Sequence, residues 1–512
     1  MTNKILSLAE ASNLATPFGT VELILCFGHF NAIHPGHIRY FRNARQSPGL
    51  LVVALEGDAQ MPDGERNQIF PEDERAQALS ALELVDYVVV MRDFSLEELV
   101  ARIRPSILML GKEFERSRSE KINSAITMLE SKGGKVVYDA GETHYAHAHL
   151  FHNSLSDLEH QRWQEFESAI SAQEVAFPQV IATLSESLGK NILVLGDTIV
   201  DRYVACDPIG MSNEAPVVVV KEIQSQDYVG GAAIVAAHVA ALGANCIYLS
   251  VTGQDSRSDF VRNQLEEQKV VTRIFQDSER PTTFKIRYMV ENQKLFRVSR
   301  LKEHTISPLV EAKVIDCLEE LAPSLDGMLV SDFVYGVVSP AILDKVSDLS
   351  SRYGFRLFGD LQCSSQVGSI KRLQGFHLLC PTEREARIAL ANHDDGIEFI
   401  ANQLMNEARA ENIILKLGAD GFIAYAKDSG RAIPQRQYFP ALTVNPVDVA
   451  GAGDSLLAAM AVGITSGLTL MESASLAACM AAISVQTVGN RPVSLYQLKE
   501  FFLKRSEVNN AI

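Results

Sequence analysis

Short apolar runs separated by longer mixed segments dominate the hydrophobic pattern of this chain. Runs of four to seven residues that are rich in Val, Ile and Leu, at spacings that leave room for a helix, are typical of buried parallel strands. The pattern therefore predicts an α/β protein with two doubly wound, Rossmann-like domains. The runs are residues 21–27, 51–55, 84–90 and 107–110 in the first third, and residues 191–196, 328–332, 355–360, 377–380 and 413–417 further on.

Two stretches of the second part depart from this α/β rhythm. Residues 216–220 and the polar/apolar alternation over 283–298 predict strands with one exposed face, which we interpret as a small β lid. Gly230 and Gly231 begin an Ala-rich helical segment that continues to Leu242. This glycine pair suits a hinge between lid and core, and an ordinary tight turn is an equally simple interpretation.

A polar, helix-prone stretch joins the two parts. Within it, Leu155, Leu158, Trp163, Phe166 and Ile170 fall on one side of a helix. No Gly/Ser-rich tether interrupts this stretch. We therefore predict a first domain over residues 1–150, a helical connector over 151–188 and a second domain over 189–512.

Composition excludes some classes of function. The formal net charge of -16 argues against a sequence-independent nucleic-acid binder, which needs surplus Lys and Arg. The seven cysteines form no Cys-x-x-Cys pair, so neither a disulfide framework nor a zinc ribbon is indicated. Because residues 1–20 contain no apolar leader and no long uncharged apolar run follows, we expect a cytoplasmic protein that does not bind a membrane.

A glycine-rich loop before an apolar helix carries the clearest candidate chemistry. Gly451 and Gly453 flank Ala452, so backbone N–H groups can crowd around an anion at the positive end of the helix dipole. Asp454 follows directly, where a carboxylate could take the proton from an attacking hydroxyl during phosphoryl transfer. The alternative is a glycine turn with an aspartate that caps a buried helix.

Further candidates follow predicted strands of the second domain. Asp197 and Asp201 come after the first of these strands, where two carboxylates can bind sugar hydroxyls. Lys416, Gly418 and Gly421 follow the strand at residues 413–417 and form a loop fit to hold the phosphates and ribose of a nucleotide. Taken alone, that loop is only a hairpin turn.

In their order, these motifs resemble the ribokinase-like (PfkB) sugar kinases over residues 191–492. The similarity is closest to the heptose kinase branch, through residues 196–203, 214–217 and 330–333. The resemblance implies that Asp454 is the catalytic base and that the loop before it is the anion hole. It further implies that a phosphorylated sugar is bound by Asp197, Asp201, Gly230, Gly231, Lys285 and Arg297. ATP would be bound by Lys416, Gly418, Gly421, Gly451, Ala452 and Gly453. Glu385 would bind Mg²⁺.

Two departures from the kinase pattern stand out. Thr382 replaces the Asn of the family's Asn-x-x-Glu motif, which bears on how magnesium is handled. Residues 360–365 replace the Asp-Pro-Lys of the heptose kinases. This second change indicates that the sugar, or the way its phosphate is bound, differs from that of the heptose kinases.

The first strand of the chain also runs into a glycine turn and a helix. His34 and His37 lie three residues apart across Gly36, at a predicted helix start near Pro35. Imidazoles at that position can donate hydrogen bonds to nucleotide phosphates as pyrophosphate leaves. A zinc pair or a purely structural role are the alternatives, although zinc would need further ligands.

This turn resembles that of the small His-x-Gly-His nucleotidyltransferases, which include cytidylyltransferases, over residues 23–138. The resemblance implies catalytic roles for His34 and His37. The chain departs from the family at Asn31, at Leu110 and over residues 142–149, which replace a Ser/Thr-rich phosphate motif. The resemblance also implies a nucleotide site at Gly28, Phe30, Gly36 and Arg75.

Together the two parts resemble the bifunctional heptose kinase/adenylyltransferases with the domain order reversed. This implies an enzyme that uses Mg²⁺ and ATP, with ATP or CTP in the first domain, to convert a sugar phosphate into a nucleotide-activated, heptose-like sugar. A homodimer is expected by the same likeness. Two alternatives stay open: a sugar kinase with a nucleotide-sensing or scaffolding first domain, and a metal-binding interaction protein built on the histidines at 144, 147, 149 and 152.

Overall fold

A computed structural model of the chain separates into two compact units. One unit is Met1–Asn153 with Asp394–Phe399, and the other is Ser154–His393 with Ile400–Ile512. The structure describes residues 4–14, 22–31, 33, 35–45, 49–60, 70–111, 114, 119–138, 155–186, 188–212, 214–215, 217–291, 293–362, 368–392, 395–427 and 435–509. His34 and the histidines at 144, 147, 149 and 152 lie outside these residues.

The first unit contains a parallel sheet in the order β1-β4-β3-β2-β5-β6. The chain reverses its direction of travel across the sheet between β2 and β5, which is the switch point where ligands bind in doubly wound folds. The strands are β1 Ile5–Leu6, β2 Leu23–Gly28, β3 Leu50–Glu56, β4 Tyr87–Met91, β5 Ile107–Leu110 and β6 Lys135–Tyr138. The helices are α1 Leu8–Ser12, α2 Pro35–Ala44, α3 Glu72–Ser80, α4 Leu96–Ile103 and α5 Glu120–Ser131.

Alternation along these strands explains why the sheet is covered on both faces. Ile24 and Cys26 of β2 belong to one buried apolar cluster, whereas Leu25 and Phe27 belong to another. Successive side chains of a strand point to opposite faces, so a continuous apolar run fills two cores at once. The predicted helix start at Pro35 is observed as the first residue of α2.

The second unit is organised around a nine-stranded sheet in the order β11-β10-β7-β14-β15-β16-β17-β18-β19. All neighbours pair in parallel except β17 with β18 and β18 with β19, which are antiparallel. The strands are β7 Asn191–Gly196, β10 Asn245–Thr252, β11 Val271–Gln276, β14 Gly327–Asp332, β15 Arg356–Leu361, β16 Leu378–Leu379, β17 Asn412–Lys416, β18 Phe422–Ala426 and β19 Gln435–Phe439. The predicted α/β class is confirmed.

Most of the remaining helices flank this sheet. Two of them, α14 and α15, are buried along nearly their whole length, because the Ala-rich sequence 452–482 lets them pack closely against the rest of the core. The helices are α6 Leu155–Ala172, α7 Phe177–Glu186, α8 Ala232–Ala241, α9 Ser256–Glu267, α10 Pro308–Leu321, α11 Pro340–Tyr353, α12 Glu383–Leu390, α13 Ile397–Glu407, α14 Ala452–Thr465, α15 Leu470–Ser484 and α16 Leu495–Asn509. Within the described ranges, none of the helices is long and apolar enough to cross a bilayer.

The predicted β lid is a four-stranded sheet in the order β13-β12-β8-β9. Its strands are β8 Thr198–Met211, β9 Val218–Gly231, β12 Thr283–Val290 and β13 Gln293–Arg300. Sequence periodicity missed β8 and most of β9, because each strand is buried at one end and exposed at the other, so no single period describes it. In the structure, Asp201 lies on the lid strand β8. Gly230 and Gly231 are the last residues of β9 and directly precede α8.

Candidate active sites

A cavity of about 610 Å³ lies where the lid and the large sheet of the second unit meet. The loop before α14, the loop after β17 and all four lid strands contribute to its wall. Most of the kinase residues predicted from the sequence therefore share one cavity. Those that line it are Asp201, Gly231, Lys285, Arg297, Glu385, Lys416, Gly418, Gly421, Gly451, Ala452, Gly453 and Asp454.

Asp454 lies buried in the first turn of α14. The loop before it turns at Gly451, whose φ of 83° is favourable only for glycine. Burial raises the pKa of Asp454 to about 7, and the nearby Asp360 carboxylate acts in the same direction. Gln362 donates a hydrogen bond from Nε2 to Asp454 Oδ1 at 2.8 Å. A carboxylate with a pKa near neutrality, in the first turn of a helix, has the properties of a general base.

The Lys416 ammonium lies beside the same loop. Its Nζ is 2.7 Å from Asp360 Oδ2, and a Cβ placed on Gly453 would lie 3.3 Å from that nitrogen. Burial alone would lower the pKa of Lys416, but the carboxylates of Asp360 and Glu385 outweigh it and raise the pKa. Lys416 is therefore held in its charged form next to the backbone that would receive a phosphoryl group.

The loop after β17 turns sharply below Lys416. Gly418 has a φ of 65° and Gly421 a φ of 98°. A Cβ placed on Gly421 would lie 2.2 Å from the carbonyl oxygen of Phe439, so no larger residue fits there. These glycines bring the turn against the residues that follow β19.

Asp201 occupies the lid side of the cavity. Its Oδ1 accepts a hydrogen bond from Arg287 at 2.5 Å, and its Oδ2 accepts one from Asn490 at 3.4 Å. A Cβ placed on Gly230 would lie 2.3 Å from Asp201 Oδ2, and one on Gly451 would lie 2.5 Å from Asn490 Oδ1. Asn490 thus connects the lid carboxylate to the glycine loop.

Asp197 is placed differently from its predicted role. It is not among the residues that line the cavity, and it is buried beneath the loop that follows β14. Its carboxylate accepts backbone N–H bonds from Phe333 at 2.8 Å, Tyr335 at 3.3 Å and Val337 at 3.2 Å. Burial raises the pKa of Asp197, while these three bonds oppose the rise. Asp197 shapes the loop, and only Asp201 of the predicted pair reaches the cavity.

Two further cations face the cavity from the lid. Lys285 is buried, and its Nζ lies 5.2 Å from the ring centres of both Phe333 and Tyr335. No carboxylate pairs with Lys285 in the part of the chain that the structure describes. Arg297, on the neighbouring strand β13, is more exposed. This arrangement provides positive charge on the lid side of the cavity.

Asp448 ties the lid to the glycine loop. Its carboxylate accepts hydrogen bonds from Tyr203 Oη on β8 at 2.6 Å and from Lys294 Nζ on β13 at 2.8 Å. It also accepts the backbone N–H of Ala450 at 3.1 Å. Through this single buried carboxylate, two lid strands fix the loop that precedes Asp454.

In the first unit, the glycine turn after β2 is built around Phe30. The Phe30 side chain is buried, and its backbone has a φ of 45°. Its ring makes an edge-to-face contact with the His37 ring, with the ring centres 5.2 Å apart. A Cβ placed on Gly28 would lie 3.1 Å from the Phe30 ring. Phe30 therefore acts as a core residue that positions His37, and Gly36 lies in the first turn of α2.

Arg75, predicted to bind phosphate, is almost fully buried in α3. Its guanidinium donates to the carbonyl oxygens of Phe70 at 2.8 Å and His29 at 2.5 Å, and to Asp58 Oδ1 at 2.6 Å. All three nitrogens are thus engaged by the protein. In this arrangement Arg75 braces the turn that carries His29.

Comparison with known proteins agrees with this geometry. A family model described as pfkB family carbohydrate kinase matches residues 190–495. The chain belongs to this family. A second family model, described as cytidylyltransferase-like, matches residues 25–143, so both predicted resemblances are confirmed.

The chain is similar to curated proteins that are named bifunctional protein HldE. HldE of Trichlorobacter lovleyi is 30% identical over 307 residues, which cover 59% of this chain and 60% of the relative. HldE of Campylobacter jejuni subsp. jejuni serotype O:6 is 31% identical over 314 residues, which cover 60% of this chain and 64% of the relative. The chain therefore spans less than two thirds of the length of these relatives.

A solved structure supports the fold of the pfkB part. Phosphofructokinase-2 from Escherichia coli, in complex with potassium, matches with a TM-score of 0.51 and 16% identity. The match covers 62% of this chain and 99% of that one. At this identity the likeness concerns the fold alone.

Several residues of the pfkB site were missed by sequence reasoning. Arg287 lies two residues from Lys285 on β12, so strand alternation would have placed both on one face once the strand was accepted. Gln362 lies in the stretch already noted for its departure from the heptose kinases. Asn490 and Asp448 belong to no local pattern that we recognised, because their role depends on contacts between distant segments.

The residues around Glu385 could supply one carboxylate ligand to Mg²⁺ but not a complete metal site. Glu385 and Thr382 form a capping box at the start of α12, in which Thr382 N donates to Glu385 Oε2 at 2.8 Å. Across the described residues, no three His, Cys, Asp or Glu side chains are grouped as a metal site. Mg²⁺ in such sites is commonly held by one or two carboxylates together with substrate phosphates and water. Glu385 alone can therefore be sufficient as the protein ligand.

The pKa of Asp454 predicts an acid limb in the pH profile of sugar phosphorylation. The base must be deprotonated, so kcat/KM should fall about tenfold per pH unit below pH 7. Replacing Gln362 with Lys places an ammonium beside the carboxylate, which favours the charged form and should shift the limb down by about one pH unit. ADP release measured from pH 5 to 9 tests both statements; an unshifted limb in the Gln362→Lys variant would contradict the assignment of the base.

Proposed function

We propose that this protein is a bifunctional sugar kinase and sugar-phosphate nucleotidyltransferase. The second unit phosphorylates a heptose-like sugar phosphate with ATP, and the first unit joins the product to a nucleotide from ATP or CTP. The result is an ADP- or CDP-activated sugar for surface polysaccharide. The observation that carries the proposal is the meeting of Asp454, the glycine loop and Asp201 in one cavity.

This geometry supports the following proposal for the kinase step. Asp201, oriented by Arg287 and Asn490, binds sugar hydroxyls. The Lys285 ammonium, which pairs with no carboxylate among the described residues, suits a phosphate that the sugar already carries. Asp454 takes the proton of the attacking hydroxyl as the oxygen–phosphorus bond forms. Backbone N–H groups of Gly451–Gly453 and the charged Lys416 stabilise the transferring phosphoryl group while ADP leaves.

Magnesium contributes charge neutralisation on the nucleotide phosphates when it is bound. Glu385 is the residue that would hold it, through its place in the cavity wall. The remaining positive charge comes from the chain itself. Lys416 supplies it at the loop, and Lys285 and Arg297 supply it on the lid side.

The first unit is proposed to release pyrophosphate. His37 in the first turn of α2, with His34 beside it in the sequence, donates hydrogen bonds to the nucleotide phosphates at the positive end of the helix. The two activities have different products, so one reaction mixture reports on both. ADP records the kinase and pyrophosphate records the transferase.

Replacing His37 with Asn is expected to lower pyrophosphate release by about two orders of magnitude, because a donor to the developing charge is lost. ADP release should stay within about twofold, since the pfkB cavity contains no residue of the first unit among those described. The measurement uses the full chain with ATP, CTP, Mg²⁺ and a panel of sugar phosphates. His160→Asn, at an exposed position on α6, is the matched control. Equal loss of ADP and pyrophosphate would contradict the assignment.

A second candidate function keeps the kinase and makes the first unit a nucleotide sensor or scaffold. The commitment of Arg75 to Phe70, His29 and Asp58 favours it, because the phosphate-binding arginine of the resemblance is engaged elsewhere. Wild-type protein that binds nucleotide in the first unit, releases ADP and never releases pyrophosphate would establish this alternative. The cytoplasmic location and the homodimer remain part of the proposal.

A further inference from the structure

The pfkB cavity has an apolar end, formed by residues from elements other than the lid strands. Its wall there consists of Phe422, Pro440, Leu442, Val444, Ala482 and Val485. A chain of contacts leads to it from the sugar side: Asp201 to Asn490, Asn490 to Gly451, and Gly453 to Lys416. Beyond Lys416, Gly421 lies against Phe439 and Pro440. With the phosphates at the glycine loop, the sugar lies on the lid side and the planar base of the nucleotide falls at the apolar end.

One charged side chain lines this cavity from outside the family match. Arg162 lies on α6, which precedes residues 190–495. Its Nη1 donates to the carbonyl oxygens of Ala441 at 2.9 Å and Thr443 at 3.0 Å. Both carbonyls belong to the segment that follows β19 and forms part of the apolar wall.

The helix that carries Arg162 is fixed along β19. Gln173, the residue directly after α6, donates a hydrogen bond to Gln437 Oε1 at 3.0 Å and accepts one from Gln435 Nε2 at 3.1 Å. Phe166 packs on Phe439, with ring centres 6.3 Å apart. Contacts from Arg162 and Phe166 on α6 and from Gln173 directly after it therefore hold the helix against β19 and the segment that follows β19.

We propose that Arg162 is a nucleotide-positioning residue that completes the base end of the kinase cavity. It holds the wall at residues 441–443 through Nη1. Arg162 lines the cavity, and no described residue provides an acceptor for its Nε or Nη2, so these donors are left for the ring nitrogens or carbonyl oxygen of a base. Helix α6 is then part of the nucleotide site, and this inference rests on the proposed kinase function.

Steady-state kinetics of ADP release, with ATP and the sugar phosphate that reacts fastest in the panel, test the proposal. Arg162→Ala should raise the KM for ATP by about tenfold, as expected for the loss of one or two hydrogen bonds, while the KM for the sugar phosphate stays within about twofold. Arg162→Lys should give an intermediate value. A role confined to folding would instead lower the melting temperature or kcat and leave the KM for ATP unchanged, which would overturn the proposal.

Gln173→Ala is the matched control, because it removes contacts between α6 and β19 without touching the cavity. It should leave the KM for ATP within about twofold, and an increase equal to that of Arg162→Ala would show that helix packing alone is responsible. A second measurement does not need turnover: photolabelling of the full chain with 8-azidoadenosine triphosphate, followed by peptide mass spectrometry. Label in peptides that contain residues 158–172 or 441–446 supports the proposal, and label absent from both contradicts it. Absence of ADP release with every sugar would instead overturn the proposed kinase function.

Discussion

Replacing Asp454 with Asn is expected to lower kcat for ADP release by about three to four orders of magnitude, the contribution typical of a positioned base at the upper end of its range. The side chain keeps its size, and Asn Oδ1 can still accept the hydrogen bond that Gln362 donates at 2.8 Å. What it loses is the ability to take a proton. Initial rates of ADP release at saturating ATP, Mg²⁺ and sugar phosphate measure the effect.

The same reaction provides the control for this variant. Pyrophosphate release from a chemically prepared phosphorylated sugar bypasses the kinase step, so it should be unchanged by Asp454→Asn. Asp454 is buried in α14, so its substitution could also destabilise the fold. The melting temperature of the variant should therefore equal that of the wild type if the kinetic loss is chemical. ADP release within about tenfold of the wild-type rate would show that Asp454 is a helix-capping residue and not the base.

Replacing Asp201 with Ala should have the second largest effect, lowering kcat/KM for the sugar phosphate by about two to three orders of magnitude. The variant removes the carboxylate proposed to bind the sugar. It also leaves the guanidinium of Arg287 without its buried partner, which is the costly way to break an ion pair. The KM for ATP should change little, because the nucleotide lies beyond the glycine loop. Kinetics with each substrate varied in turn separate the two effects.

A second ion pair of the lid provides the comparison. Arg202 and Asp227 join β8 to β9 through two hydrogen bonds of 2.6 and 2.8 Å, and neither lines the cavity. Asp227→Ala should therefore leave kcat/KM within about twofold, as expected for a partly exposed pair. Equal losses in the Asp201 and Asp227 variants would mean that lid stability, and not sugar binding, is being measured.

The large sheets were predictable because buried strands leave a strong local signal. Continuous runs such as Asn191–Gly196 and Gly327–Asp332 admit few other interpretations in an α/β chain. The lid was harder to delimit. Thr198–Met211 begins buried and ends exposed, so no single period describes it, and its pairing with Val218–Gly231 depends on contacts that no short window contains.

Motifs predicted which loops carry the chemistry but not the direction of every side chain. Asp197 and Asp201 look equivalent in the sequence, yet Asp197 is satisfied by three backbone N–H groups and Asp201 reaches the cavity. Arg75 likewise has the residue type for binding phosphate but is neutralised by its own neighbours. Burial and hydrogen-bond partners decide such cases, and both arise from tertiary structure.

The central claim is that the loop Gly451–Gly453 and Asp454 pass a phosphoryl group from a nucleotide to a sugar hydroxyl. The most direct test incubates the full chain with Mg²⁺, ATP labelled in its γ-phosphate and each sugar phosphate of the panel, and identifies the labelled product by mass spectrometry. We predict that the label appears in a sugar that has gained one phosphoryl group. Label found only in unreacted ATP or inorganic phosphate, for every sugar of the panel, would contradict the claim.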